Sequence, residues 1–163
     1  MRPDDFEALF RVAADPLIWE QHPERNRYEE ATFRAFFADA LASGGALVAL
    51  DRATGEIIGS SRYHGHDPAQ NGIEIGWSFL ARAYWGKGHN AEFKRLMLEH
   101  AFRYVDRVVF RVGAGNVISR KAMARIGGRL TGVTFVEDRA GRPVEHVVYE
   151  ITRESFAAGP LAR

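Results

Sequence analysis

The chain contains no cysteine. That removes disulfides, thiolate zinc sites and any cysteine acyl-enzyme. It has no surplus of charge: 22 Lys and Arg against 21 Asp and Glu leave a net +1, so nothing points to nucleic acid or a membrane surface as partner. Long apolar runs are missing; the longest, such as Ala46 to Leu50, are far too short to span a bilayer. The opening Met1-Arg2-Pro3-Asp4-Asp5 has no hydrophobic signal core, and a cytoplasmic location is the expectation. No internal repeat, linker or low-complexity stretch interrupts the chain. What remains is one domain over residues 1–163, whose 46% apolar content allows a real core.

Asp4 is placed to cap a first helix carrying Phe6, Leu9, Phe10 and Ala13 at helical spacing, which Asp15-Pro16 ends. Leu17-Ile18-Trp19 forms a further turn before His22-Pro23. A second helix is predicted over Glu29 to Ser43, with Phe33, Phe36, Phe37, Ala40 and Leu41 on one face and Gly44-Gly45 as its stop. Two strands follow, Ala46–Leu50 and Glu56–Tyr63, joined by the polar turn Asp51 to Gly55. After the loop Asp67 to Asn71, Ile73, Ile75, Trp77 and Phe79 alternate with Glu74, Gly76 and Ser78 in the period of a strand. Further on stand a strand at Arg107–Val112, a helix at Val117–Ile126 closed by Gly127-Gly128, and strands Arg129–Val136 and Pro143–Thr152 joined as a hairpin across Glu137 to Arg142.

The most informative stretch runs from Gly72 to Phe102. Its strand leads into Gly86-Lys87-Gly88 and then a helix with Phe93, Leu96, Met97, His100, Ala101 and Tyr104 as its apolar stripe. Strand, glycine turn and helix together make a phosphate cradle: glycines let a ligand approach the backbone, and the first free N–H groups of the helix point at it. A P-loop is excluded, because no Gly-Lys-Ser/Thr follows at the required spacing. The dinucleotide fingerprint fits only through Gly86, Gly88 and Ala91, and the acidic residue it needs at the end of the next strand is absent, with Arg111 near that tip.

The stretch resembles the GNAT superfamily of acetyl-CoA-dependent N-acetyltransferases, and most of all the branch with the ribosomal-protein N-terminal acetyltransferases, where a Trp-Gly-x-Gly turn is common. The family's turn Q/R-x-x-G-x-G/A falls on Trp85, Gly86, Lys87, Gly88, His89 and Asn90, with Trp85 in the basic or amide slot and Asn90 in the small one. A second family block, N-x-x-S and a helix ending in Ile/Leu-Gly, matches Asn116, Ser119, Ile126 and Gly127. The resemblance implies the GNAT fold, a mixed, mostly antiparallel α/β (α+β) sheet with helices on both faces. Only Met1 and Arg2 precede Pro3, so the strand that relatives carry before the first helix is expected to be vestigial or missing.

Acetylation of an amine by a thioester requires a gripped cofactor, a polarised carbonyl, a base for the ammonium and an acid for the thiolate, and no covalent intermediate. The resemblance implies that backbone N–H groups of Gly86 to Asn90 hold pyrophosphate. It also implies that backbone at Phe79 and Leu80 pairs with the pantetheine arm, and that Asn116 bonds that arm as well as capping its helix. Lys87 and Lys94 either add charge near phosphate or are solvated. The Asn90 amide is expected to turn from the phosphate path and bond backbone. The slot where many relatives carry a tyrosine acid is Met123; Ser119, one helical turn earlier, can serve the sulfur directly or through water, or merely start its helix. Glu74 is the first candidate base, against a plain solvent-facing salt link. His64 and His66 share a strand face, with Asp67 next, and suit the acceptor cleft better than a metal, for which no third ligand is placed. Trp19 belongs to the segment expected to line that cleft. His100 is expected in the core, and Glu145 and His146 are remote alternatives as base or acceptor contact.

Three functions follow: an enzyme moving acetyl from acetyl-CoA to a primary amine of a protein N-terminus or small molecule, a non-catalytic acyl-CoA-binding or sensing domain, and a nucleotide-binding oxidoreductase domain. The first needs no metal; its partner is the amine acceptor, and a homodimer is compatible with it. The cradle generates a direct expectation. Gly88→Glu removes a close-approach glycine and sets a carboxylate beside pyrophosphate, so acetyl-CoA affinity should fall at least tenfold in calorimetric titration, and unchanged affinity in the folded variant removes the cradle.

Overall fold

The turn and capping residues of this chain fall where its apolar periodicity changes, and the elements of the computed structural model, which describes residues 1–139 and 141–162, begin and end at those places. Helices α1 (Phe6–Ala13) and α2 (Glu30–Ala42) come first, followed by strands β1 (Ala46–Leu50), β2 (Ile57–Asp67) and β3 (Gly72–Leu80). Then come α3 (His89–Ala101), β4 (Arg107–Gly113), α4 (Val117–Arg125), β5 (Arg129–Arg139), β6 (Arg142–Thr152) and α5 (Arg153–Ala157). The strands form one six-stranded sheet in the order β1-β2-β3-β4-β6-β5. All neighbours are antiparallel except β3 and β4, which are parallel.

Two cores cover the two faces. Leu9 and Ala13 of α1 and Phe33, Phe36 and Phe37 of α2 pack with Trp19 and Phe79, in a cluster where the Phe6 ring lies 5.3 Å from Phe37 and 5.8 Å from Phe33. Burying each such ring stabilises the fold by about 1.5–3 kcal/mol. On the other face Met97, Leu98 and Ala101 of α3 and Met123 and Ile126 at α4 cover Ile75, Val108, Phe110, Tyr149 and Ile151.

Strand β3 changes face along its length. Ile73 and Ile75 belong to the α3/α4 core, whereas Trp77 and Phe79 belong to the α1/α2 core. A regular strand keeps all four on one side, as the alternation in the sequence predicts. The change is made at Trp77, whose φ of 52° is left-handed. Ser60 pairs with Phe79 and Arg62 with Gly76, so two steps along β2 match three along β3. This is a β-bulge, and a non-glycine residue held there stores local strain.

The parallel pairing of β3 with β4 covers only Gly72 to Glu74 against Arg107 to Val109. Beyond it β4 stays with β6 and β3 stays with β2. The two strands part, and their facing backbone groups are left without a strand partner.

Several expectations are corrected. Asp4 sits inside a 3-10 turn, Pro3–Asp5, and Asp5 takes the cap position of α1. No strand precedes α1 among the described residues; instead the Met1 ammonium donates to the Ala46 carbonyl at 3.1 Å. β2 runs to Asp67, and Gly65, with φ 60°, breaks its alternation, so His64 and His66 do not share a regular face. β5 and β6 extend into the expected hairpin loop, in which Ala140 lies outside the described residues. The short α5 had no counterpart in the sequence pattern. The largest difference is in α3: its buried residues are Lys94, Met97, Leu98 and Ala101, while Leu96, His100 and Tyr104 are exposed. The buried face is turned from the apolar stripe because Lys94 points inward.

Leu98 is 0% exposed and Leu96 54%. Leu98→Ala should cost about 2–5 kcal/mol in denaturant unfolding, and Leu96→Ala no more than about 0.5 kcal/mol.

Candidate active site

After β3 a 3-10 turn, Arg82–Tyr84, leads into Trp85, whose indole N–H donates to the Leu80 carbonyl at 2.9 Å and fixes the turn against the strand end. Gly86 and Gly88 follow with φ of 73° and 87°, values costly for any side chain. A Cβ on either glycine would meet nothing within 4 Å, so open space lies before the turn. Gly88 caps α3 without a side-chain acceptor, leaving the first N–H groups of the helix free for an anion.

Two cavities lie at the parted strands. The first, of about 480 Å³, runs between the glycine turn, the end of β3 and Trp19. The second, of about 310 Å³, is walled by Glu74, His64, Trp77, Arg111, Phe135 and His146. They meet at His22, Ser78, Asn90, Asn116 and Ser119, which line both. The first has room for a long thin ligand and the second for a separate small molecule, the two touching at the junction.

The residues expected to grip a cofactor divide. Phe79, Leu80, Trp85, Gly86, Gly88 and Asn90 line the first cavity. Lys87 is exposed and His89 turns its ring edge to Tyr84, 4.9 Å away; neither side chain lines a cavity. The Asn116 carbonyl oxygen accepts from the Ser119 N–H at 3.0 Å and caps α4, while its amide NH₂ donates to no described residue and borders both cavities. Ser119 is therefore not the cap; its hydroxyl bonds no described residue and faces the junction. The Asn90 amide makes no bond to backbone among the described residues, contrary to expectation, and stands in the junction instead.

Glu74 is 6% exposed, at the last paired position before the strands part. Burial pushes its carboxyl above the usual range, against the opposing pull of Arg111, whose Nε lies 3.4 Å away, and of His64. His64 packs its edge on Trp77 at 5.1 Å and lines the second cavity, whereas His66 is exposed and lines neither. Trp19 is a buried core residue whose indole donates to the Ala13 carbonyl at 2.7 Å; it walls the first cavity, not the acceptor side. Glu145 is exposed, while His146 is buried and stacked on Phe135 at 5.1 Å in the second cavity.

Four further residues shape the site. His22 accepts from the Glu24 N–H through Nδ1 at 2.9 Å, and burial, then the nearby Arg27 charge, lowers its pKa to about 3, so it is neutral. Arg27 bonds Glu24 and lies over Phe36 at 4.6 Å. Arg139 bonds Glu137 at 2.6 Å and reaches Glu24 at 3.5 Å. Lys94 is buried and bonds the Ser78 and Ser61 hydroxyls. The His22-Pro23 pair hinted at a turn and nothing more; Lys94, expected near phosphate or in solvent, is instead buried on the inner face of α3 against Ser61 and Ser78.

A parted parallel strand pair, a bulge beside it and a glycine turn opening a helix are the features that the sequence resemblance implies for an acyl-CoA slot. A family model described as an acetyltransferase (GNAT) domain matches residues 1–129. The chain belongs to the GNAT acetyltransferase family. It is an acetyltransferase, with acetyl-CoA as co-substrate. A GCN5-related N-acetyltransferase from Brucella melitensis is similar at 21% identity and TM-score 0.78, over 94% of this chain and 73% of that one. A GNAT-family acetyltransferase from Bacillus anthracis is similar at 21% identity and TM-score 0.76, over 93% and 90%. Mycobacterium smegmatis RimJ, solved with CoA-disulfide, is similar at 21% identity and TM-score 0.73, over 99% and 84%. These likenesses establish the GNAT fold over nearly the whole chain.

The unbonded Asn90 amide has a consequence for this GNAT site. Asn90→Ala should leave stability within about 0.5 kcal/mol of wild type, since no capping bond is lost, and keep acetyl-CoA binding within about tenfold. Differential scanning fluorimetry and calorimetric titration read both.

Proposed function

We propose that the enzyme acetylates a primary amine by direct attack on acetyl-CoA, with the donor in the first cavity, the acceptor in the second and Glu74 as base. The observation that carries this is a buried carboxylate, pushed toward neutrality, at the point where the strands part and in the wall of the second cavity. A carboxyl with a raised pKa exchanges a proton with an ammonium at lower cost than an ordinary one. Backbone N–H groups of β3 beyond Glu74 that face the gap, without a partner on β4, polarise the thioester carbonyl and hold the pantetheine arm. Gly86 to Asn90 hold the pyrophosphate, and the Asn116 amide bonds the arm. Ser119 stands beside the sulfur as a hydroxyl donor.

The acceptor is a chain end or a small amine. A cavity of about 310 Å³ takes a chain end or a small molecule and not a folded surface. The Trp85-Gly86-Lys87-Gly88 turn, shared with the ribosomal-protein N-terminal branch, makes a protein N-terminal amine the first acceptor to test.

A panel of N-terminal peptides, lysine, polyamines and aminoglycosides, assayed with acetyl-CoA by free-thiol release, tests the proposal. Binding of CoA with no thiol release from any amine marks a non-catalytic acyl-CoA-binding domain instead. Glu74→Gln should lower kcat by roughly 10²–10⁴-fold. The base is active only when ionised, so the wild-type rate should fall as pH drops through a value above the usual glutamate range, and this acidic limb should vanish in Glu74→Gln. Retention of both rate and limb moves the role to another group.

A further inference from the structure

Lys94 is 1% exposed, and among the described residues no carboxylate pairs with it. Its ammonium donates to Ser78 of β3 and, at 3.3 Å, to Ser61 of β2, and the rings of Phe93 and Phe110 lie 5.6 and 5.7 Å from it. The charged groups on the surrounding elements are engaged elsewhere. Glu74 on β3 forms an ion pair with Arg111 on β4, Arg62 on β2 bonds Asp39 at 2.6 Å, and His64 on β2 packs on Trp77. Packing alone does not call for a charge here, since a methionine fills the same volume without the cost of burying an ammonium.

Ser78 has the opposite exposure. It is open to solvent and lines both cavities, while its hydroxyl bonds Lys94 on one side and lies 2.7 Å from Ser61 Oγ on the other. The bulge at Trp77 accounts for this. Before it, Ile73 and Ile75 face the α3 core and Glu74 the opposite side; after it, Trp77 and Phe79 face α1 and α2, and Ser78 turns toward α3. Glu74 and Ser78 thus approach the slot between β3 and β4 from opposite faces of the sheet.

We propose that Lys94, acting through the Ser78 hydroxyl, is the acid that protonates the sulfur leaving acetyl-CoA. The proposal rests on the acetyltransferase reading and completes it, since Met123 occupies the tyrosine slot in the core and has no proton to give. As the amine nitrogen bonds the acetyl carbon, the carbon–sulfur bond breaks. The sulfur takes the Ser78 proton, the Ser78 oxygen takes one from Lys94, and Lys94 is left as a neutral amine. In becoming an amide nitrogen the acceptor ammonium loses two protons. Glu74 passes the first to water, and the second restores Lys94 through water in the slot, so one proton is released for each thiol formed. Burial alone lowers the Lys94 pKa to about 7, low enough to give a proton to a thiolate.

The test compares wild type, Lys94→Met, Lys94→Arg and Ser78→Ala. Two readouts concern rate. At pH 6.5 all three variants should lose about 10²–10⁴-fold in kcat with KM for acetyl-CoA little changed, and the Lys94→Met/Ser78→Ala double variant should be no slower than the slower single one. The wild-type advantage should shrink as pH rises past 7, because the donor is then already deprotonated. Arginine keeps the charge and cannot give up its proton, so rescue by Lys94→Arg would show a purely electrostatic role and overturn the proposal. The third readout needs no turnover. From pH 7 to 9 the folded protein has released the Lys94 proton while the unfolded chain, with pKa 10.5, keeps it, so wild-type stability should climb with pH. That climb should be missing from Lys94→Met. An unchanged climb, or a Ser78→Ala enzyme within threefold of wild type at pH 6.5, also overturns the proposal. If wild type releases no thiol with any amine, the acetyltransferase reading itself falls, and this inference with it.

Discussion

Everything in the site depends on one failure of pairing. β3 and β4 are adjacent and parallel, yet they share hydrogen bonds only from Gly72 to Glu74. Each strand is held by its other neighbour, β3 by β2 and β4 by β6, so the sheet survives the gap. Backbone donors and acceptors along the gap must be satisfied by water or by a ligand. The bulge at Trp77 lets the strand turn over at that point, so side chains from both faces of the sheet reach one slot. The helices α3 and α4 start at its two sides, with Gly88 and Asn116 at their caps. No moving part is needed to assemble these groups.

The charges near the slot come mostly in matched sets: Arg27 and Arg139 with Glu24 and Glu137, and Arg111 with Glu74. Such a network keeps a half-buried cavity polar without strong net charge. Burial then acts on the proposed base and the proposed acid in opposite directions. It lifts the Glu74 carboxyl and lowers the Lys94 ammonium, drawing their titration ranges toward each other. A pair of ionisable groups shifted this way is the usual signature of an acid and a base at one centre.

The order of elements was legible because turns and caps are local chemistry: Gly44, Gly86, Gly88 and Gly127 all adopt the left-handed φ that their positions in the pattern suggest. The glycine turn, Asn116 and Glu74 could be placed by motif and spacing. Three features could not. The bulge at Trp77 leaves no mark on a run that alternates perfectly. The face of α3 was misjudged because Leu96 and Tyr104 are apolar but exposed, while Lys94 is polar but buried. His22, Arg27 and Arg139 come together from a loop and a distant strand, a meeting set by tertiary packing and by no local pattern.

The bulge that reverses β3 also decides where the tryptophans stand. The chain has three. Trp19 and Trp85 wall the first cavity and Trp77 the second. Every indole in the molecule therefore borders the space that ligands enter, and none lies in a remote core. Intrinsic emission from this protein is accordingly an optical report on its cleft: occupancy of the first cavity is sensed by Trp19 and Trp85, and of the second by Trp77, against which the His64 ring packs.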